Sequence, residues 1–169
     1  MKNYISIFIV IVMILSSCKG KEKMGFNDRD DLNMQIADKI VECINNTDVI
    51  GLYNLFSEEV KNNDLTLKED IKKLYRYLNG QVKTYEKWAI ATTTDMEKGQ
   101  NSTCYRSKFK LKIDDITYFM YYDNTVKNDF SSEQVGLKFI KIFPLADEDK
   151  YFCYWQDIKP GIFLINEAK

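Results

Sequence analysis

The chain has 169 residues, 45% hydrophobic and 29% charged, with 24 basic and 25 acidic side chains. This composition excludes disordered, fibrous and polytopic membrane proteins, and a net charge of −1 leaves no basic excess for nucleic acid. Histidine is absent, which removes the commonest zinc ligand and general base, so neither a metal site nor a cofactor is expected.

Residues 4–15 form an almost purely apolar run behind Lys2 and ahead of Ser16-Ser17-Cys18. The run is shorter than the ~20 residues of a spanning helix, and its basic start and small-residue end are the pattern of a secretory signal peptide. Leu15-Ser16-Ser17-Cys18 resembles the lipobox of bacterial lipoproteins, in which the cysteine receives a diacylglyceryl group and becomes the first mature residue. The resemblance implies a signal peptide over residues 1–17, a lipidated tether over residues 18–27 and one α+β domain over residues 28–169. That domain would be extracytoplasmic, anchored to the outer face of the cell membrane by the lipid on Cys18. Two acyl chains, at ~0.8 kcal/mol per buried methylene, hold a protein stably where one does not. Cys43, Cys104 and Cys153 then remain, without CxxC spacing or an even number, and are expected to be reduced and mostly buried.

Leu32, Ile36, Ala37, Ile40, Cys43 and Ile44 recur at helical spacing and predict a first helix from about Asp30. Val49, Leu52, Tyr53, Phe56 and Val60 predict a second, with Thr47 or Asp48 as N-cap. Thr66-Leu67-Lys68-Glu69 reads as a capping box opening a third, whose stripe is Leu67, Ile71, Leu74, Tyr75 and Leu78 and whose left-handed C-cap is Gly80.

After Gly80 the period falls to two. Strands are predicted over residues 82–90, 105–113 and 116–122, the last apolar on both faces and therefore central in the sheet. Asp114-Asp115 is a tight turn, residues 124–134 a polar loop, and residues 135–143, 151–155 and 162–165 the remaining strands. Helices first and a meandering sheet afterwards make an α+β fold, three N-terminal helices packed on a strongly curved antiparallel sheet. The order of elements resembles the nuclear-transport-factor-2-like cone. Leu52-Tyr53-Asn54-Leu55-Phe56-Ser57, Gly80, Val135-Gly136-Leu137 and Lys159-Pro160-Gly161-Ile162 further resemble a family of Gram-positive lipoproteins of unknown function with that fold. The resemblance implies no catalytic residues.

Strict alternation from Val82 places Glu86 on the inner side with Trp88 and Ile90, where apolar surroundings would raise its pKa; a β-bulge near Thr84 or Tyr85 would turn it outward. Arg106, Lys108, Lys110 and Lys112 share one strand face, read as solvated and partly neutralised by acidic neighbours. No Walker loop, GxGxxG, GxSxG or His-based triad is present. The expectation is a binding domain that takes a small molecule, peptide or envelope protein in the open end of a cone lined by Glu86, Trp88, Tyr118, Tyr122 and Trp155. One rival is an isomerase or hydrolase using Glu86 with a Tyr, as the related cone-shaped isomerases do. The other is an interaction or immunity-type protein working through the outer sheet face.

Overall fold

The computed structural model describes residues 26–151 and 158–163, with side chains from residue 31. The signal segment, Cys18, Cys153 and Trp155 lie outside the described residues. Residues 26–31 fall in a compact unit with the N-terminus, and the fold below belongs to the second unit, Leu32–Lys169.

Helix α1 spans Phe26–Asn45, beginning ahead of Asp30, and buries Ala37, Ile40, Val41, Cys43 and Ile44. Asp48 caps α2, Val49–Leu55, by accepting a hydrogen bond from the Gly51 N–H at 2.8 Å. The single helix expected over residues 49–60 is instead two. Phe56 is extended, and α3, Glu58–Asn63, restarts behind Ser57, whose Oγ accepts from the Val60 N–H. The break has a backbone cause: Phe56 bridges Leu137 and the Ser57 N–H donates to the Leu137 carbonyl at 3.0 Å, so this stretch is held by the sheet rather than by the helix. Gly136 permits the crossing, with φ at +125° and space for a Cβ only 2.8 Å from the Ser57 nitrogen.

Helix α4, Leu67–Leu78, buries Leu67, Ile71, Leu74 and Leu78, the stripe read from the sequence. Its ends are built differently. The capping box does not form: Asp64 accepts from the Thr66 N–H at 3.0 Å and its carbonyl takes the Leu67 N–H, while the Thr66 hydroxyl turns to Asp70. The left-handed C-cap is Asn79, φ 41°, not Gly80, since Asn tolerates that conformation through its short polar side chain.

Strands β1 (Val82–Glu97), β2 (Gln100–Ile113), β3 (Ile116–Asn128), β4 (Gly136–Pro144) and β5 (Gly161–Phe163) form one sheet in sequence order. The first four pair antiparallel, but β5 lies parallel to β4, which corrects the all-antiparallel expectation. The β1–β2 hairpin is longer than the alternation showed, because the uncharged Ala91-Thr92-Thr93-Thr94 carries no polar–apolar signal yet is β-branched enough to extend. It turns at Lys98-Gly99, both with positive φ, as a two-residue hairpin requires. Strand β3 runs on through Asn124, into the segment read as a loop. A 3-10 turn at Leu145–Asp147 leads into a short helix, α5, at Glu148–Tyr151, which takes Tyr151 from the strand expected over residues 151–155; the rest of that strand lies outside the described residues. Four register shifts, at Val82/Thr84, Lys87/Ala89, Thr103/Cys104 and Asp123/Asn124, bend the sheet.

Two apolar clusters lie on its opposite faces. The larger joins the helices to Phe109, Leu111, Ile113, Tyr118, Met120, Tyr122, Leu137, Ile140 and Ile142. The smaller gathers Phe119, Tyr121, Phe139, Phe143, Tyr151 and Ile158. Strand β3 feeds both, as its two-sided apolar pattern requires.

Candidate functional site: the outer face of the sheet

Glu86 does not enter the core. The shift between Val82 and Thr84 inserts one extra residue, so Tyr85 stands opposite Leu111 and packs against the larger core, while Glu86 stands opposite Lys110 on the outer face. Its side chain is 70% exposed and lies 3.8 Å from the Lys110 Nζ. Tyr85, the inward residue in its stead, donates from its hydroxyl to Asp38 Oδ1 at 2.5 Å; that hydrogen bond and partial burial push its pKa up to about 12. Trp88 is the unpaired residue of the second bulge and is 54% exposed, against the inward expectation.

The inner tyrosines serve packing. Tyr122 is fully buried, its ring stacked on Phe109 at 5.8 Å, and its hydroxyl donates to the Asn33 carbonyl at 2.8 Å and also contacts Asn33 Oδ1, which accepts from Ser107 as well. Burial pushes its phenol well above the usual range. Tyr118 is 6% exposed and meets Tyr77 edge-on at 6.3 Å; burial raises its pKa too. The four described candidate residues thus separate, Tyr118 and Tyr122 into the core and Glu86 and Trp88 onto the outer surface.

That outer surface carries a lysine–aromatic lattice which the sequence analysis missed. Lys108, Tyr121 and Lys141 stand opposite one another in one row across β2, β3 and β4, and Lys110, Phe119 and Phe143 in the next. The Lys108 Nζ sits 3.7 Å from the centroid of Phe119 and donates to Glu148 Oε1 at 2.5 Å. Burial alone would lower its pKa, but its hydrogen bonds to Glu148 and Tyr121 outweigh that cost and raise it. Lys141, 3% exposed, donates to the Tyr151 carbonyl at 2.5 Å and lies 4.3 Å from the Phe163 ring. Lys110 lies 3.6 Å from the Trp88 ring, and Arg106 pairs with the buried Asp123 at 3.3 Å. The cationic stripe is therefore no uniformly solvated face. Only Lys112 among its four members is well exposed. The available signal was the strand-length match of alternating Lys in β2 to alternating aromatics in β3.

At the β1 side of this lattice a groove of about 430 Å³ is lined by Thr84, Glu86, Lys110, Lys112, Thr117 and Leu145. It brings together one carboxylate, two ammonium groups and an exposed Leu145, with the indole of Trp88 beside Lys110. Such a set offers contacts for a polar chain with an apolar anchor, and among the described residues no hydroxyl of the groove hydrogen-bonds to Glu86.

The two described thiols, Cys43 and Cys104, are not poised for chemistry. Cys43 and Cys104 are both free, and Cys43 is buried. Burial and then the contact with Asp123 push the Cys104 thiol up to about 12, the opposite of activation. No cluster of His, Cys, Asp or Glu able to hold a metal ion occurs among the described residues.

The segments that carried the family resemblance are structural joints: Phe56-Ser57 lies across Gly136-Leu137, and Gly80 lies beneath Ile113, where a Cβ would sit 2.7 Å from its Cγ2. None of the curated proteins matches the chain. The model of a domain of unknown function, DUF5104, matches residues 39–148, from the middle of α1 through β4 to α5, and the chain belongs to that family.

Proposed function

We propose that this protein is a lipid-anchored extracytoplasmic lipoprotein whose nuclear-transport-factor-2-like domain is a protein-interaction module, working through the outer sheet face around Trp88, Glu86, Lys110 and Lys112. The observation that carries the reading is the division of the candidate residues: Tyr122 is fully buried beneath the helices while Trp88 is 54% exposed beside Lys110. A half-exposed Trp is the side chain most suited to an interface anchor, and the charges of Glu86, Lys110 and Lys112 beside it suit the polar rim that surrounds such an anchor. The enzyme reading loses its support, because Glu86 stands on the opposite face of the sheet from Tyr118 and Tyr122. Lipid on Cys18 is supported by Leu15-Ser16-Ser17-Cys18 directly after the apolar run.

Photo-crosslinking in cells tests the interaction. A photoreactive phenylalanine analogue at position 88 should give a discrete adduct with one envelope protein, abolished by Lys110→Glu. The same probe at Lys72, on the exposed side of α4, should not give it. Identical adducts from both positions, or none from position 88, would refute the assignment. Cys18→Ala should release the protein from the membrane fraction, and retention there with its diacylglyceryl mass intact would refute the anchor.

A further inference from the structure

The sequence motif Lys159-Pro160-Gly161 has no place in the outer-face reading, yet it forms one wall of a second groove. This groove, of about 370 Å³, lies between α3 and the entry to β5 and is lined by Glu59, Val60, Asp64, Lys138, Lys159 and Pro160. Its size falls in the lower part of the ~300–1,000 Å³ range of small-ligand pockets. The floor is Val60, 3% exposed, with Pro160 at the rim.

The charges are the unusual feature. Two carboxylates and two ammonium groups face one cavity, and none of the four makes an ion pair among the described residues. Neighbouring surface charges behave otherwise: Lys61 pairs with Glu58 at 2.5 Å, one turn away on the same helix. Asp64 is also half committed. Its Oδ1 accepts from the Thr66 N–H and hydroxyl, at 3.0 and 2.9 Å, while Oδ2 receives no hydrogen bond among the described residues. That free oxygen lies against Gly161, 2.6 Å from where a Cβ would stand, so the glycine leaves room for the carboxylate at the groove.

We propose that this groove is a binding site for a small zwitterion of dipeptide size. Its ammonium group lies with Glu59 and Asp64, its carboxylate with Lys138 and Lys159, and an aliphatic side chain over Val60 and Pro160. A ligand of one sign would gain from one pair and be repelled by the other. A zwitterion gains from both, which is the selection this arrangement makes. The site shares no residue with the outer-face groove and stands or falls separately from it.

The test is isothermal titration of the full chain, in detergent, with three probes: Ala-Leu, its N-acetyl derivative and its C-terminal amide. Ala-Leu should bind saturably, and loss of either end charge should weaken it about fivefold, the effect of an exposed ion pair at the upper end of its usual range. Glu59→Gln should weaken Ala-Leu but leave the N-acetyl peptide unchanged, and Lys138→Gln should weaken Ala-Leu but leave the amide unchanged. Both residues are exposed, so neither variant threatens the fold. Absence of saturable binding, equal affinity for the three peptides, or indifference to both variants would overturn the proposal.

Discussion

The two faces of the sheet are held by different physics. On the helix side, Phe109, Met120, Leu137 and Ile140 are fully buried in a cluster whose buried polar side chains Asn33, Ser107 and Tyr122 form one small hydrogen-bonded network. On the outer side, a shorter stretch of chain covers rings interleaved with Lys108 and Lys141, and every ammonium there needs a ring, a carboxylate or a carbonyl. The first face draws its stability from area removed from water, insensitive to pH and salt. The second draws it from charge compensation, because a buried ammonium is tolerable only while its partners remain. Perturbations should therefore differ in kind as well as in size between the faces.

The largest effect is expected on the helix side. Phe109 is fully buried and stacked on Tyr122, so Phe109→Ala should cost about 3–5 kcal/mol, read by urea denaturation. The loss should be the same at pH 6 and pH 9. A loss below about 1 kcal/mol would mean that this face is not the principal core.

On the outer face the sharpest test is Glu148→Gln, which keeps the shape but removes the carboxylate from Lys108. Glu148 is 37% exposed, so solvent screens part of the pair and the cost should be about 1–2 kcal/mol at neutral pH. The folded chain holds the Lys108 proton more tightly than its ordinary 10.5, so the stabilisation is complete below that value. It fades as pH rises through the raised folded value. The difference between wild type and Glu148→Gln should accordingly be constant from pH 7 to pH 9 and shrink towards pH 11. The double variant Lys108→Met/Glu148→Gln, which removes both charges together, should recover the loss of Glu148→Gln alone and should remove that pH dependence.

At the margin of the same face Trp88 remains half in water beside Lys110, whose side chain is 23% exposed, and a surface cation–aromatic contact is worth about 0.5–1 kcal/mol. Trp88→Ala should therefore lower stability by no more than that. A larger loss in thermal denaturation would mark Trp88 as part of the outer core rather than of a recognition surface.

What could be read from the sequence follows the same division. The helix stripes and the double-sided pattern of β3 were legible because each residue's face is fixed by period alone, as in Leu67, Ile71, Leu74 and Leu78. Helix ends were less so: Thr66, Asp64 and Asn79 are all competent caps, and tertiary geometry chooses among them. The split after Leu55 was invisible, since it is imposed by Leu137, distant in the chain. The outer lattice was half visible. The lysines of β2 were plain, but their burial depends on register with β3 and on the cover supplied by α5, neither of which is encoded locally.

Glu86 is where a one-residue insertion changed a functional reading, and it carries the smallest expected effect. Alternation counted from Val82 puts it inward, but the bulge before Thr84 passes that position to Tyr85 and leaves Glu86 beside Lys110 in water. An inward carboxylate would make Glu86→Gln neutral or stabilising at pH 7 and make the difference grow with pH, through the cost of burying its charge. The observed position predicts something else: a weak, screened attraction to Lys110, so that Glu86→Gln changes stability by less than about 0.5 kcal/mol. Urea unfolding of both proteins between pH 5 and pH 8 should give parallel curves, and 1 M salt should erase the remaining offset. A gap that widens steadily with pH would return Glu86 to the core and with it the binding and enzymatic roles that an inward carboxylate would support.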